Sequence, residues 1–192
     1  MEIALSLLMG VGLSATSGFR VFVPLLIMSI ASLSGYLELS SGFEWIDSYP
    51  ALVIFFVATV VEILAYFVPY VDNALSVISS PASVIAGIII TASVATGMSP
   101  LLTWTLAVIA GGGFSLAGRV TSSAIHTGST TATAGSANPV VSFLETVMTA
   151  VMAVLVVAFP LLVILFTGII GYVFFKMMKR IRRGRSKPSL LK

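Results

Sequence analysis

Apolar residues in this chain come in long runs, and polar interruptions divide them into about six stretches of membrane-spanning type. The first stretch, Ile3 to Leu33, is longer than the roughly 20 residues one upright span needs. Ser14-Ala15-Thr16-Ser17-Gly18 and Pro24 interrupt it, so it reads as a single tilted or broken helix. Tyr36 to Tyr49 carries Glu38, Glu44, Trp45 and Asp47 without Lys or Arg, a composition suited to a loop at the outer interface. Ala51 to Val68 is the second helix, with Glu62 inside it. Pro69 to Ser80 reads as a connector and Pro81 to Gly97 as a third helix opened by proline. After the Ser99-Pro100 link, Leu101 to Ser122 forms a fourth, and Gly111-Gly112-Gly113 predicts a break in it.

Nine of the 16 residues from Thr121 to Ser136 are Ser or Thr, so this segment reads as a loop, with His126 an ordinary loop residue. Asn138-Pro139 then opens an apolar run from Val140 to Met178 that exceeds one crossing. Pro160 marks either a tight turn between two helices or a kink in one long helix; the turn is preferred because it yields six spans. The fold class expected is an all-α integral membrane protein of about six transmembrane helices. Residues 1–178 form one domain with halves 1–98 and 99–178, followed by a tail, 179–192. Each half opens with a glycine-interrupted helix bearing an arginine, Gly18-Phe19-Arg20 and Gly118-Arg119, and continues with a helix bearing Glu62 or Glu145. Because three is odd, a duplicated half would enter the membrane upside down, which is a 3+3 inverted repeat.

Composition strengthens the membrane reading. The chain is 58% hydrophobic and 9% charged, with a mean hydropathy of +1.12, where a soluble domain has roughly a quarter of its residues charged. Eight of the ten cationic residues lie between Lys176 and Lys192. By the positive-inside rule this tail is cytoplasmic, the chain is a multi-pass membrane protein, and anionic lipid headgroups are the tail's partners. That role needs no nucleic acid.

The absence of cysteine excludes disulfides and thiolate metal sites, and a lone histidine excludes a multi-histidine metal site. No P-loop, HExxH or dinucleotide fingerprint is present, so no cofactor is expected. Gly113-Phe114-Ser115 with His126 only loosely suggests a serine–histidine dyad and lacks an oxyanion element, so the chain is not expected to be an enzyme.

The remaining chemistry lies in charges set within apolar sequence. Arg20 and Arg119 need a partner at membrane depth, and Glu62 and Glu145 are the complementary pair. If the first stretch breaks at Ser14–Gly18, Arg20 begins the second half, where the helix dipole adds to its charge and calls for an anion. These four charges form either fixed ion pairs that hold helices together or a substrate site. Gly18 and Gly118 permit close helix contact or unwound backbone, and Asn138 is the polar residue of its segment best placed to line a cavity. The expected function is a small, dimeric transporter or channel for an anionic or amphipathic solute, with Arg20, Arg119, Glu62, Glu145, Asn138, Gly18 and Gly118 at its site. The alternative is a non-transporting scaffold that binds lipid or another membrane protein.

Gly12-Leu13-Ser14-Ala15, Gly18-Phe19-Arg20, Ser80-Pro81-Ala82 and Thr133 through Ser142 with Glu145 carry a resemblance. In these the chain resembles a family of small bacterial polytopic membrane proteins known as a domain of unknown function. The resemblance covers most of the chain except the basic tail; it implies a membrane fold and no particular activity.

Overall fold

The computed structural model describes residues 2–65, 69–161 and 163, which are helices joined by short connections. Two helices, α1 (Glu2–Ser17) and α2 (Phe22–Leu33), occupy the first apolar stretch. They do not continue one another. α1 runs antiparallel to α4 (Pro69–Val94): Gly10 abuts Thr91 and Val94, and the Ser17 hydroxyl reaches Ser83 O at 3.3 Å. α2 returns in the opposite sense. Its start, Val21 and Phe22, borders the same recess as Ser79 and Ala82. Farther on, the Ser93 hydroxyl donates to Met28 Sδ at 3.3 Å, and Ser40 N–H to Ser93 O at 2.6 Å.

The stretch is therefore a helical hairpin with its tip at Gly18–Val21, not the single broken span that length and polarity suggest. Its two open ends share one end of the molecule, with Ile3 3.8 Å from where a Gly97 side chain would begin. At 16 and 12 residues, the arms are about 24 and 18 Å long, short of roughly 30 Å of hydrocarbon.

The tip forms because local hydroxyls satisfy the end of α1. Ser14, Thr16 and Ser17 donate to the carbonyls of Val11, Leu13 and Ser14 at 2.7–2.9 Å. Phe19 and Arg20 N–H both close onto Thr16 O, at 3.0 and 3.2 Å.

After a 3-10 turn at Glu44–Ile46, α3 (Tyr49–Ala65) leads back towards the tip. The predicted connector Pro69–Ser80 is instead the first part of α4, which passes through Pro81. Pro69 opens the helix where no N–H is needed. Just past Pro81 the Ser83 hydroxyl donates to Ser80 O at 2.9 Å.

The triple glycine does not break its helix. α5 (Pro100–Leu106), a π-helical turn (Ala107–Gly111) and α6 (Gly112–Thr133) form one continuous helix of 34 residues. Gly111 packs against Thr91 and Gly87 O with no room for a side chain, so at this position glycine serves contact, not unwinding. α6 also extends through the segment expected to be a loop. Thr121, Thr127, Thr131 and Thr133 each donate to the carbonyl four residues back, at 2.8–3.0 Å, which lets a hydroxyl-rich helix satisfy itself.

Ala134 in the left-handed region (φ 52°) and Gly135 (φ 85°) end α6, and α7 (Asn138–Ala158) follows with proline in its first turn. α7 stops before Pro160, in agreement with a turn there. The predicted sixth span and the basic tail lie outside the described residues.

Gly111 and Ser115 lie against Gly87, and Ser115 bonds Ser83, so α6 runs antiparallel to α4 and hence parallel to α1. The two glycine–arginine segments consequently point the same way, and no upside-down relation connects them. Their resemblance comes from a shared packing need, described below.

Pro100–Thr133 and Asn138–Ala158 are long and apolar enough to cross a membrane. Polarity is distributed to match. Arg20, Glu62, Arg119, Glu145, Ser14, Ser17, Ser83, Ser115 and Thr149 are buried, while Val53, Ile54, Phe56, Val61, Phe143, Met148 and Val151 are exposed. An apolar core of Leu13, Leu25, Met28, Ile90 and Val94 fills the space between the hairpin and α4.

Candidate functional site

The hairpin tip is a buried helix end, and a buried helix end needs partners for its N–H groups. Pro24 removes one such requirement, and Glu62 of α3 meets two more. Its Oε1 accepts Val21 N–H at 2.8 Å and its Oε2 accepts Phe22 N–H at 3.1 Å. The anion that the α2 dipole calls for is thus the Glu62 carboxylate. Arg20, one residue before this cap, is directed elsewhere.

Arg20 is the largest of the fully buried side chains. Its Nη2 donates to Ser142 O of α7 at 2.7 Å and lies 3.9 Å from Glu145 Oε2. The same oxygen is 3.0 Å from Nε2 of His126, which α6 presents. Two further oxygens at this spot, Glu145 Oε1 and the Ser142 hydroxyl, are buried and have no hydrogen-bond partner among the described residues. Arg119 is buried on α6, and its backbone lies against Gly18 at the hairpin tip.

Below the charges, Ser17 and Ser115 hydroxyls meet at 3.0 Å, and Ser115 donates to Ser83 O at 2.6 Å, joining α1, α6 and α4. α1 and α6 cross at this level through Gly18 and Gly118. A Cβ on Gly18 would lie 2.6 Å from Arg119 N and 2.7 Å from Gly118 Cα. One on Gly118 would collide with Ala15 O.

Of the residues singled out from sequence, Arg20, Glu62, Arg119 and Glu145 therefore converge. Gly18 and Gly118 do not line a site: each fills the other's space, and their role is contact. Asn138 is also displaced from it. It sits at the α6–α7 turn and donates to Thr130 Oγ1 at 3.0 Å, about two helical turns from Glu145.

His126 is the residue that sequence reasoning missed. Had Thr121–Ser136 been read as helix, the spacing Ser115, Arg119, Ser122, His126 would have shown one face. Ser115, Arg119 and Ser122 on that face are buried.

Beside the tip, α2, α3 and α4 enclose a recess of about 760 Å³ lined mainly by apolar side chains, among them Phe22, Val57, Val61 and Ala82, with Glu62 at its wall. A smaller recess near the open end of the hairpin is lined by Glu38, Glu44 and Asp47. No metal-binding group of three acidic or histidine residues occurs among the described residues.

A family model described as a domain of unknown function (DUF4126) matches residues 7–180. The chain belongs to the DUF4126 family. The matched range holds the whole hairpin tip and every ionisable residue around it, as well as the Asn138–Pro139 start of α7. No curated protein and no solved structure matches the chain.

Proposed function

We propose that this DUF4126 protein is a multi-pass membrane transporter for a small anionic or amphipathic solute, with its site at the tip of a re-entrant hairpin. The observation that carries the reading is the convergence of Arg20, Glu62, Arg119, His126 and Glu145, from the hairpin tip, α3, α6 and α7, in a buried position. Buried charges in an apolar helical bundle cost several kcal/mol each and are retained chiefly for ion or substrate pathways. An irregular backbone at membrane depth is tolerated only inside protein or beside a water-filled cavity. A half-helix end facing such a site is a recurrent arrangement for binding charged solutes in transporters. Exposed apolar side chains around a polar interior support the membrane setting.

A second reading is favoured by the apolar recess beside Glu62. In it, an acyl chain occupies the recess permanently and the charges serve only to hold the hairpin.

Uptake into proteoliposomes separates the two. The probes are chloride and hexanesulfonate, anions that stay ionised across the working pH range. Transport predicts uptake of at least one probe above protein-free vesicles, reduced about tenfold in Arg20→Gln through loss of roughly 1.4 kcal/mol of anion stabilisation. Absence of uptake for both probes, with lipid co-purifying at fixed stoichiometry, would favour the lipid-binding scaffold.

A further inference from the structure

We infer that Ser142 and Glu145 of α7 recognise a hydroxyl group, so that the solute of this site is a hydroxylated anion. The inference rests on the transport reading above for the anionic group. It deepens that reading by naming the substrate class and the two atoms that select it.

Three observations lead there. First, each residue has one polar atom engaged and another left over. Glu145 Oε2 lies 3.0 Å from His126 Nε2 and 3.9 Å from Arg20 Nη2, while Oε1 has no hydrogen-bond partner among the described residues. Ser142 O accepts from Arg20 Nη2 at 2.7 Å and from Thr146 Oγ1 at 2.9 Å, while the Ser142 hydroxyl has no partner among the described residues. The engaged atoms hold the two residues in place and leave the other two atoms for a ligand. Second, the leftover atoms belong together. Ser142 and Glu145 are 2% and 7% exposed, and a spacing of three residues makes them neighbours on one face of α7. Buried polar atoms are almost always bonded, so two unbonded ones side by side mark a place where something else binds. Third, their chemistry is complementary. A carboxylate oxygen only accepts, whereas a serine hydroxyl has a proton to give. A hydroxyl on the solute meets both needs at one atom, donating to Glu145 Oε1 and accepting from the Ser142 hydroxyl.

Other groups fit less well. A bare anion has no proton for Glu145 Oε1. An ammonium group has no acceptor for the Ser142 proton, and the buried guanidinium of Arg20 beside both residues disfavours a second cation there. A solute that makes both bonds keeps the two atoms satisfied, and one without a hydroxyl leaves them unpaired on binding. Exposure rises from 1% at Arg20 to 7% at Glu145 and 17% at His126, so the solute arrives from the side of His126, between α6 and α7. Chloride and hexanesulfonate are then the weaker members of the substrate class.

The test uses the full chain in lipid nanodiscs with propane-1-sulfonate and its 2-hydroxy and 3-hydroxy derivatives, all permanently ionised. Thermal midpoints at rising probe concentration give the relative affinities. At least one hydroxylated probe is expected to bind about tenfold tighter than the parent. Ser142→Ala removes a hydroxyl that bonds nothing among the described residues, so it should fold as the wild type does, and it should bring the ratio to about one. Ser129→Ala is the control. Its hydroxyl is also enclosed and without a partner among the described residues, but it lies near the far end of α6, and the preference should persist. Equal shifts with parent and hydroxylated probes, whether all bind or none does, would overturn the inference and leave the two atoms to water. A preference that survives in Ser142→Ala would overturn it as well.

Uptake into proteoliposomes keeps the two claims apart. A hydroxylated probe is expected to enter faster than the parent. Equal uptake of all three would overturn hydroxyl recognition and leave transport standing. A hydroxyl preference in binding, without uptake of any probe, would remove the transport reading and leave the hydroxyl site standing.

Discussion

Gly18→Ala is expected to leave little correctly folded protein, at a cost of about 3 kcal/mol, the upper range for an inserted methyl group in a packed interior. The new Cβ would collide with Ser115 O, Arg119 N and Gly118 Cα, all backbone atoms of one helix, so no side chain can rotate away. The cost falls on the crossing that sets the depth of the hairpin tip, so Arg20 would move with it. The natural control is Gly113→Ala. That glycine has nothing within 4 Å, and alanine there should be neutral or stabilising by about 0.5–1 kcal/mol through helix propensity. Midpoint temperatures from size-exclusion recovery in detergent would compare the two. Equal midpoints would contradict the packing role assigned to Gly18.

The second large effect is expected from Arg20 and Glu145 as a pair. Arg20→Leu leaves the buried Glu145 charge with one fewer cation and Ser142 O without its 2.7 Å donor. Removing one partner of a buried pair costs about 3–5 kcal/mol, chiefly through the charge left behind. Glu145→Leu should cost a similar amount by removing the carboxylate 3.9 Å from the buried guanidinium. The double replacement should cost clearly less than the sum, because the interaction between the two is then counted only once. Thermal unfolding of the four proteins gives the coupling directly. Additive losses would mean that the 3.9 Å approach is not an energetic contact.

The charges themselves were legible in the sequence, and the architecture around them was only partly so. Arg20, Glu62, Arg119 and Glu145 stand out because ionisable residues are rare in apolar sequence. The interruption at Ser14–Gly18 was equally visible. What apolar periodicity does not encode is direction: a broken helix and a hairpin have the same local pattern. The reversal is decided by long-range packing of Gly10 on Thr91 and Met28 against Ser93. Thr121–Thr133 misled for a different reason. Its hydroxyls favour loops in isolation, yet in the structure they bond back to their own helix. The loop reading removed His126 from the face it shares with Arg119. Gly111–Gly113 looked like a break because glycine weakens helices, but Gly111 is where α6 must touch α4.

The re-entrant hairpin is the claim on which the site depends, and side-specific labelling of single cysteines tests it most directly. The natural chain has no cysteine, so Ala4→Cys, Ser41→Cys and Ala134→Cys each give one signal with a membrane-impermeant maleimide. All three positions are exposed. The account predicts that Ala4→Cys and Ser41→Cys react from the same side of the membrane and Ala134→Cys from the other. Reaction of Ala4→Cys and Ser41→Cys from opposite sides would make the first stretch a true span and contradict the account.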